Sequence, residues 1–266
     1  MNTSELPIAV FDSGIGGLTV LRSLIRLLPY EKFIYLADSK RSPYGDKDPE
    51  SIVKYTQDAV SFLQKKGIKM VVIACHTASA YCLEVLQKNF SVPVIGVIQS
   101  SLAQIIEQKD GDSLAILGTK ATIASGVYQK LIQSIDPGIR VFPIACPLLV
   151  PMIEEGLLEH PEMELAVQSY LVPLQKEKIK TALLACTHYP LILPLIQKAL
   201  GGNTLVIDSS DRTAIEVREF LRKHHLLKNS LQPFPNEFFV TDAPKNFGLR
   251  ANVFLGNNVE PVFESW

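Results

Sequence analysis

Residues 71–77 read VVIACHT and residues 183–188 read LLACTH. In each stretch an apolar run stops at an alanine, and a cysteine, a threonine and a histidine follow, in opposite order. A short continuous apolar run suits a strand buried on both faces of a parallel sheet. Cys75 and Cys186 stand 111 positions apart. Two more pairs echo across the chain: IAVFDS at Ile8–Ser13 with LAILGT at Leu114–Thr119, and VPVIGVI at Val92–Ile98 with NTLVIDSS at Asn203–Ser210. Three ordered pairs predict two similar halves.

Around these anchors, strand-like runs at Pro7–Phe11, Lys32–Leu36, Met70–Ala74 and Pro93–Ile98 alternate with helix-like stretches at Leu18–Leu28, Pro49–Lys65 and Ser79–Asn89. Such alternation predicts βαβ units. The expected fold class is α/β, with two pseudo-symmetric domains, each a parallel sheet flanked by helices, and the active site in the cleft between them. The first domain is expected at residues 1–98 plus 211–266, the second at 99–210. The tail reads as a helix over Thr213–Lys223, a loop at Pro233 and Pro235, a strand-like EFFVT and a last helix-like segment, packing back on the first half.

Of the 266 residues, 47% are apolar and 20% charged, with a formal net charge of −1. That composition excludes a disordered chain and gives no electrostatic reason for nucleic acid or an anionic membrane as main partner. The start, MNTSELPIAVFDSG, lacks the basic start and long apolar core of a signal peptide. No stretch is long and apolar enough for a transmembrane helix. The four cysteines, Cys75, Cys82, Cys146 and Cys186, lack the spacing of a secreted disulfide scaffold. The expectation is a cytoplasmic protein with reduced thiols.

In parallel α/β sheets, ligands bind beyond the carboxyl ends of the strands. The polar residues after the apolar runs are Asp12-Ser13, Cys75-His76-Thr77, Thr119 and Cys186-Thr187-His188. A cleft between the halves would carry one cysteine on each wall. Cys82 and Cys146 read as small core hydrophobes. Two opposed thiols suit racemisation, in which a proton leaves one face of a carbon and another arrives on the opposite face. A free cysteine, with a pKa of about 8.5, is only about 3% thiolate at pH 7, so the site must assist it. Asp12 and His188 are the candidate assistants. The loop DSGIGGLT at Asp12–Thr19 departs from the dinucleotide fingerprint, because Thr19 stands where its last glycine would. Its glycines fit either a tight turn or a backbone cradle for a carboxylate. Ser42-Pro43-Tyr44-Gly45 reads as a surface turn or as a loop closing over the cleft. Cys-His and Cys-x-His are poor zinc spacings, so no metal is expected. His224-His225 reads as a solvated helix end.

At these motifs the chain resembles the glutamate racemases of the aspartate/glutamate racemase superfamily. The resemblance rests on FDSGIGGLTVL at Phe11–Leu21, SPYG at Ser42–Gly45, ACHTASA at Ala74–Ala80 and VPVIGVI at Val92–Ile98. It continues through GTKATIASGVY at Gly118–Tyr128, ACPLLVPMIEEG at Ala145–Gly156, ACTHYPL at Ala185–Leu191 and FVTDAPKNF at Phe239–Phe247. It implies interconversion of L- and D-glutamate without pyridoxal phosphate or metal, supplying D-glutamate for peptidoglycan. Cys75 and Cys186 would be the acid/base pair, Asp12 and His188 their assistants, and Glu154 an auxiliary on the second side. Ser13, Pro43, Tyr44, Gly45, His76, Thr77, Thr119, Thr122 and Thr187 would grip the substrate. The resemblance also implies a homodimer and allows a contact with DNA gyrase. One departure stands out. The family's usual Cys-Asn-Thr is Cys75-His76-Thr77 here. The bulkier imidazole would crowd the glutamate, favour another acidic amino acid, or alter the pKa of Cys75. A weakly active regulator keeping the fold is a further alternative; the intact Cys186, Asp12 and His188 favour an enzyme.

Overall fold

A computed structural model describes residues 3–108, 111–229 and 232–265, so the first two residues of the N-terminal stretch read above lie outside it. The strands of the first half are β1 (Ile8–Asp12), β2 (Phe33–Ala37), β3 (Met70–Ile73) and β4 (Val94–Gly96). Their helices are α1 (Leu18–Leu27), α2 (Pro49–Lys65), α3 (His76–Asn89) and α4 (Val97–Gln108). The second half has β5 (Ser113–Gly118), β6 (Arg140–Ala145), β7 (Thr181–Ala185) and β8 (Leu205–Asp208). With them run α5 (Lys120–Ala124), α6 (Val127–Ile135), α7 (Leu149–Glu154), α8 (Pro161–Leu171) and α9 (Leu193–Leu200). The tail adds α10 (Ser210–Lys223), β9 (Glu237–Val240), α11 (Pro244–Leu255) and β10 (Val262–Phe263).

The strands form two sheets, ordered β10-β9-β2-β1-β3-β4 and β6-β5-β7-β8, and all their pairings are parallel. The order 2-1-3-4 of the first sheet recurs as 6-5-7-8 in the second. Each echoing pair in the sequence is therefore a pair of equivalent strands: β1 with β5, β3 with β7, β4 with β8. Every residue of β1, β2, β3, β5 and β7 is buried, which explains why these strands read as unbroken apolar runs. The tail extends the first sheet, with β9 pairing against β2, while α10 packs on α1 and α4.

Registers place the chemistry. Phe11 pairs with Ile73, so Asp12 and Cys75 leave the first sheet side by side. Gly118 pairs with Ala185, so Thr119 and Cys186 leave the second in the same way. The helix expected from Ser79 begins three residues earlier. Cys75 is its N-cap and its sulfur accepts from the Ala78 N–H at 3.5 Å. His76 and Thr77 thus stand in a helical first turn rather than in a loop. The strand expected over Pro93–Ile98 is cut to Val94–Gly96 because α4 starts at Val97. Within Ser42–Gly45, Pro43 is exposed but Tyr44 and Gly45 are buried, so the segment borders the cleft as well as the surface.

Candidate active site

The ends of β1, β3, β5 and β7 meet at one cavity of about 30 Å³ between the two sheets. The first half lines it with Ser13, Pro43, Tyr44, Gly45, Cys75, His76 and Thr77, the second with Thr119, Cys186, Thr187 and His188. Three predicted site residues stand one contact away. Asp12 accepts from the Gly14 N–H at 2.8 Å and from Thr187 Oγ1 at 3.4 Å. Thr122 joins Thr77 and Thr119 in a triangle of hydroxyls 2.9–3.0 Å apart. Glu154 Oε1 lies 2.9 Å from His188 Nε2. Ser42, read above only as the first residue of its loop, also lines the cavity, as do Val150 and Ala185, which are apolar and carry no chemical signal. A larger cavity of about 480 Å³ lies among residues that precede β7 and β8, such as Lys178 and Thr204. It is at the wrong strand ends for a parallel-sheet ligand site.

Two glycines let the halves meet this closely. A Cβ on Gly16 would fall 2.4 Å from both His188 and Thr187, and one on Gly45 would fall 2.6 Å from Thr119. Only a residue without a side chain fits at either seam. Tyr35, buried in β2, donates its hydroxyl to the Gly14 carbonyl at 2.8 Å and fixes the glycine loop.

The two thiols, both buried, have opposite surroundings. Cys75 donates to Ser13 Oγ at 3.5 Å. Burial, reinforced by the Asp12 carboxylate, pushes this thiol up to about 12. It therefore holds its proton at neutral pH. Asp12 is itself raised, by burial, against the pull of His188. Across the cavity, Cys186 Sγ lies 4.0 Å from His188 Nδ1. Burial opposes charge on this histidine, but its hydrogen bonds to Cys186 and Glu154 outweigh that and raise it to about 10. His188 is an imidazolium at neutral pH, sandwiched between Cys186 and Glu154 and covered edge-on by Phe254 of α11.

His76 behaves differently. Its ring is buried, Nε2 lies 3.3 Å from Ser209 Oγ, and Nδ1 is buried without a partner. Burial lowers it to about 3, so it is neutral through the physiological range. Cys82 and Cys146 are buried and do not line the cavity, and His224 and His225 are exposed at the end of α10. Among the described residues, no group of three or more His, Cys, Asp or Glu side chains is arranged to hold a metal ion. No described helix is long and apolar enough to cross a membrane.

A pH test follows from His188. Its folded pKa lies above the ordinary 6.5, so its stabilising contacts are complete below about pH 6.5 and are lost as pH rises through about 10. Glu154→Gln removes one of the partners that hold the proton. The His188 titration, followed by NMR, is expected to fall by on the order of one unit. An unchanged titration would show that Glu154 does not hold the imidazolium.

The fold is thus a duplicated parallel α/β one, with a thiol at equivalent strand ends of each half bordering one cavity. A family model described as Asp/Glu/Hydantoin racemase matches residues 15–216, and the chain belongs to that family. It is 40% identical to the glutamate racemase of Geobacter metallireducens over 97% of this chain and 95% of that protein. A glutamate racemase isoform from Bacillus anthracis superposes with a TM-score of 0.94 at 36% identity, covering 98% of this chain and 97% of the other. The Francisella tularensis glutamate racemase, solved in complex with D-glutamate, superposes at 0.93 with 34% identity and covers 98% of both chains. The protein is an amino-acid racemase, an isomerase.

Proposed function

We propose that this racemase interconverts L- and D-glutamate by a two-base mechanism, with Cys75 and Cys186 on opposite faces of Cα. The observation that carries the reading is the equivalence of the two thiols. Each follows the third strand of its half, β3 or β7, and each borders the same cavity. One sulfur takes the α-proton as the other delivers its own, and the reverse reaction exchanges their roles. Ionising a thiol of pKa about 12 at pH 7 costs about 7 kcal/mol, so burial and Asp12 alone do not favour a Cys75 thiolate. The substrate's α-ammonium, placed between Cys75 and Asp12, would offset that cost. His188 would hold and return the proton on the Cys186 side. The α3 N-terminus and the hydroxyls of Thr77, Thr119, Thr122 and Thr187 would take the carboxylates, with Ser13 and the Pro43–Gly45 loop completing the grip.

A cavity of about 30 Å³ has room for roughly two waters, not for an amino acid. An adjoining depression of about 240 Å³ shares Pro43, Gly45, Thr119 and Val150 with the cavity and is the natural mouth. The reading divides the chain into units 1–98 plus 211–266 and 99–210. It also includes D-glutamate supply for peptidoglycan, a cytoplasmic location and a homodimer, with a gyrase contact ranking below these.

The test is solvent labelling. Pure L-glutamate incubated with the enzyme in heavy water is expected to give D-glutamate deuterated at Cα from the earliest time points, read by mass spectrometry beside circular dichroism. Early product carrying mostly protium would point to one shared base. Aspartate in parallel checks whether His76 has moved the substrate preference.

A further inference from the structure

We infer that Asp38 is a positioning residue of the active site: its buried carboxylate shapes the Ser42–Gly45 wall of the cavity and ties it to the C-terminal segment. Asp38 follows β2 and is 1% exposed. One oxygen, Oδ2, accepts from the Tyr44 hydroxyl at 2.6 Å and from Arg41 Nε at 2.6 Å. The other, Oδ1, accepts from Thr241 Oγ1 at 2.9 Å, just beyond β9. Thr241 Oγ1 accepts in turn from the Lys40 N–H at 2.9 Å. The loop from Asp38 to Gly45 is thus folded around one carboxylate.

Asp38 does not line the cavity, so it acts through Tyr44. The Tyr44 ring packs against Phe11 at 6.2 Å and Tyr55 at 6.0 Å, leaving its hydroxyl aimed at Asp38. The next residue, Gly45, is the one that meets Thr119 across the seam. A shift of this loop would move that seam. The charge matters as well as the shape. Three donors converge on Asp38, and an ionised carboxylate accepts from all three. Asparagine offers one oxygen and an NH₂ group, so at least one donor would face another donor in a buried site.

Only the kinetic readout depends on the glutamate reading. Asp38→Asn, Tyr44→Phe and the double variant are compared with wild type, together with hydrogen exchange of the amides at 40–46 without substrate. Asp38→Asn is expected to raise KM for glutamate about tenfold while kcat falls less than about threefold, as for lost ground-state binding. The double variant should be no worse than the worse single one, because both changes break the same link. Exchange at 40–46 should quicken while the rest of the first sheet is unchanged. If Asp38→Asn does not fold, Thr241→Val removes one of the three bonds and should move KM and exchange in the same direction. An unchanged KM, losses that multiply in the double variant, or unaltered exchange would each overturn the inference. Faster loop exchange in a protein whose wild type leaves glutamate untouched would instead reject the substrate and retain the role of Asp38.

Discussion

Replacing Cys75 or Cys186 by alanine is expected to lower racemisation by at least about 10³-fold in both directions, because each face of Cα loses its only proton carrier. Overall reaction in either direction needs one removal and one delivery, so neither sulfur can stand in for the other. The fold should persist. Both side chains are small and end buried strands from the cavity side, and their loss removes one sulfur each. Circular dichroism and thermal unfolding of the variants check this. Cys82→Ala and Cys146→Ala serve as controls. These cysteines are equally buried, but Cys82 points into α2, with its sulfur 3.6 Å from the Ile52 carbonyl, and Cys146 sits at the end of β6. They should keep activity within a few-fold of wild type. A Cys75→Ala or Cys186→Ala variant retaining activity within tenfold of wild type would reject the two-base mechanism.

The two sulfurs should also be distinguishable chemically. Cys75 stands beside a carboxylate and is pushed up to about 12, whereas Cys186 stands beside an imidazolium. The sequence offered Asp12 and His188 as the assistants, but the charge state of each side depends on contacts between residues distant in the chain. Glu154, 34 positions from His188, sets it on one side, and Asp12 on the other.

Much of the fold was legible for a physical reason. Strands β1, β3, β5 and β7 are buried on both faces, and their sequences say so as unbroken apolar runs that end in polar residues at the ligand side. The repeat was visible because equivalent strands carry equivalent tasks. Helix starts were less legible. Cysteine is not among the residues that advertise an N-cap, so nothing at Cys75 signalled that His76 begins a helix. The two-residue strand β10 carries no periodicity. Asp38 was missed although it obeys the same strand-end rule that found Asp12. Its partners Tyr44 and Thr241 lie 6 and 203 positions away, and only the folded chain brings them to one carboxylate. The burial of Tyr44 goes with that link, which is why the sequence left Ser42–Gly45 open between a surface turn and a loop over the cleft.

His76→Asn is expected to raise the catalytic efficiency for glutamate by roughly three- to tenfold and to make the protein more resistant to acid. The catalytic part follows from space and charge. His76 borders a cavity of about 30 Å³, where an imidazole occupies more room than an amide. Burial holds its pKa near 3, so from pH 6 to 9 it supplies no positive charge to Cys75 and cannot generate a thiolate there. Its contribution to the neighbouring base is therefore steric, and a smaller side chain should ease binding. The stability part follows from the same burial. In the unfolded chain the imidazole binds a proton near pH 6.5, while in the folded chain it stays neutral down to about 3. The unfolded state thus holds more protons across that window, and stability falls as the solution is acidified. At pH 5 the loss amounts to about 2 kcal/mol, and asparagine does not incur it. Urea unfolding of both proteins at pH 7 and pH 5 should show the gap widening by about that amount in favour of the variant. The two halves of the prediction can fail separately. A gap that stays constant with pH would mean that His76 is not held neutral. A clear loss of efficiency for glutamate, with folding unchanged, would mean that the unpartnered Nδ1 contacts the substrate and that imidazole is the chemistry this site requires.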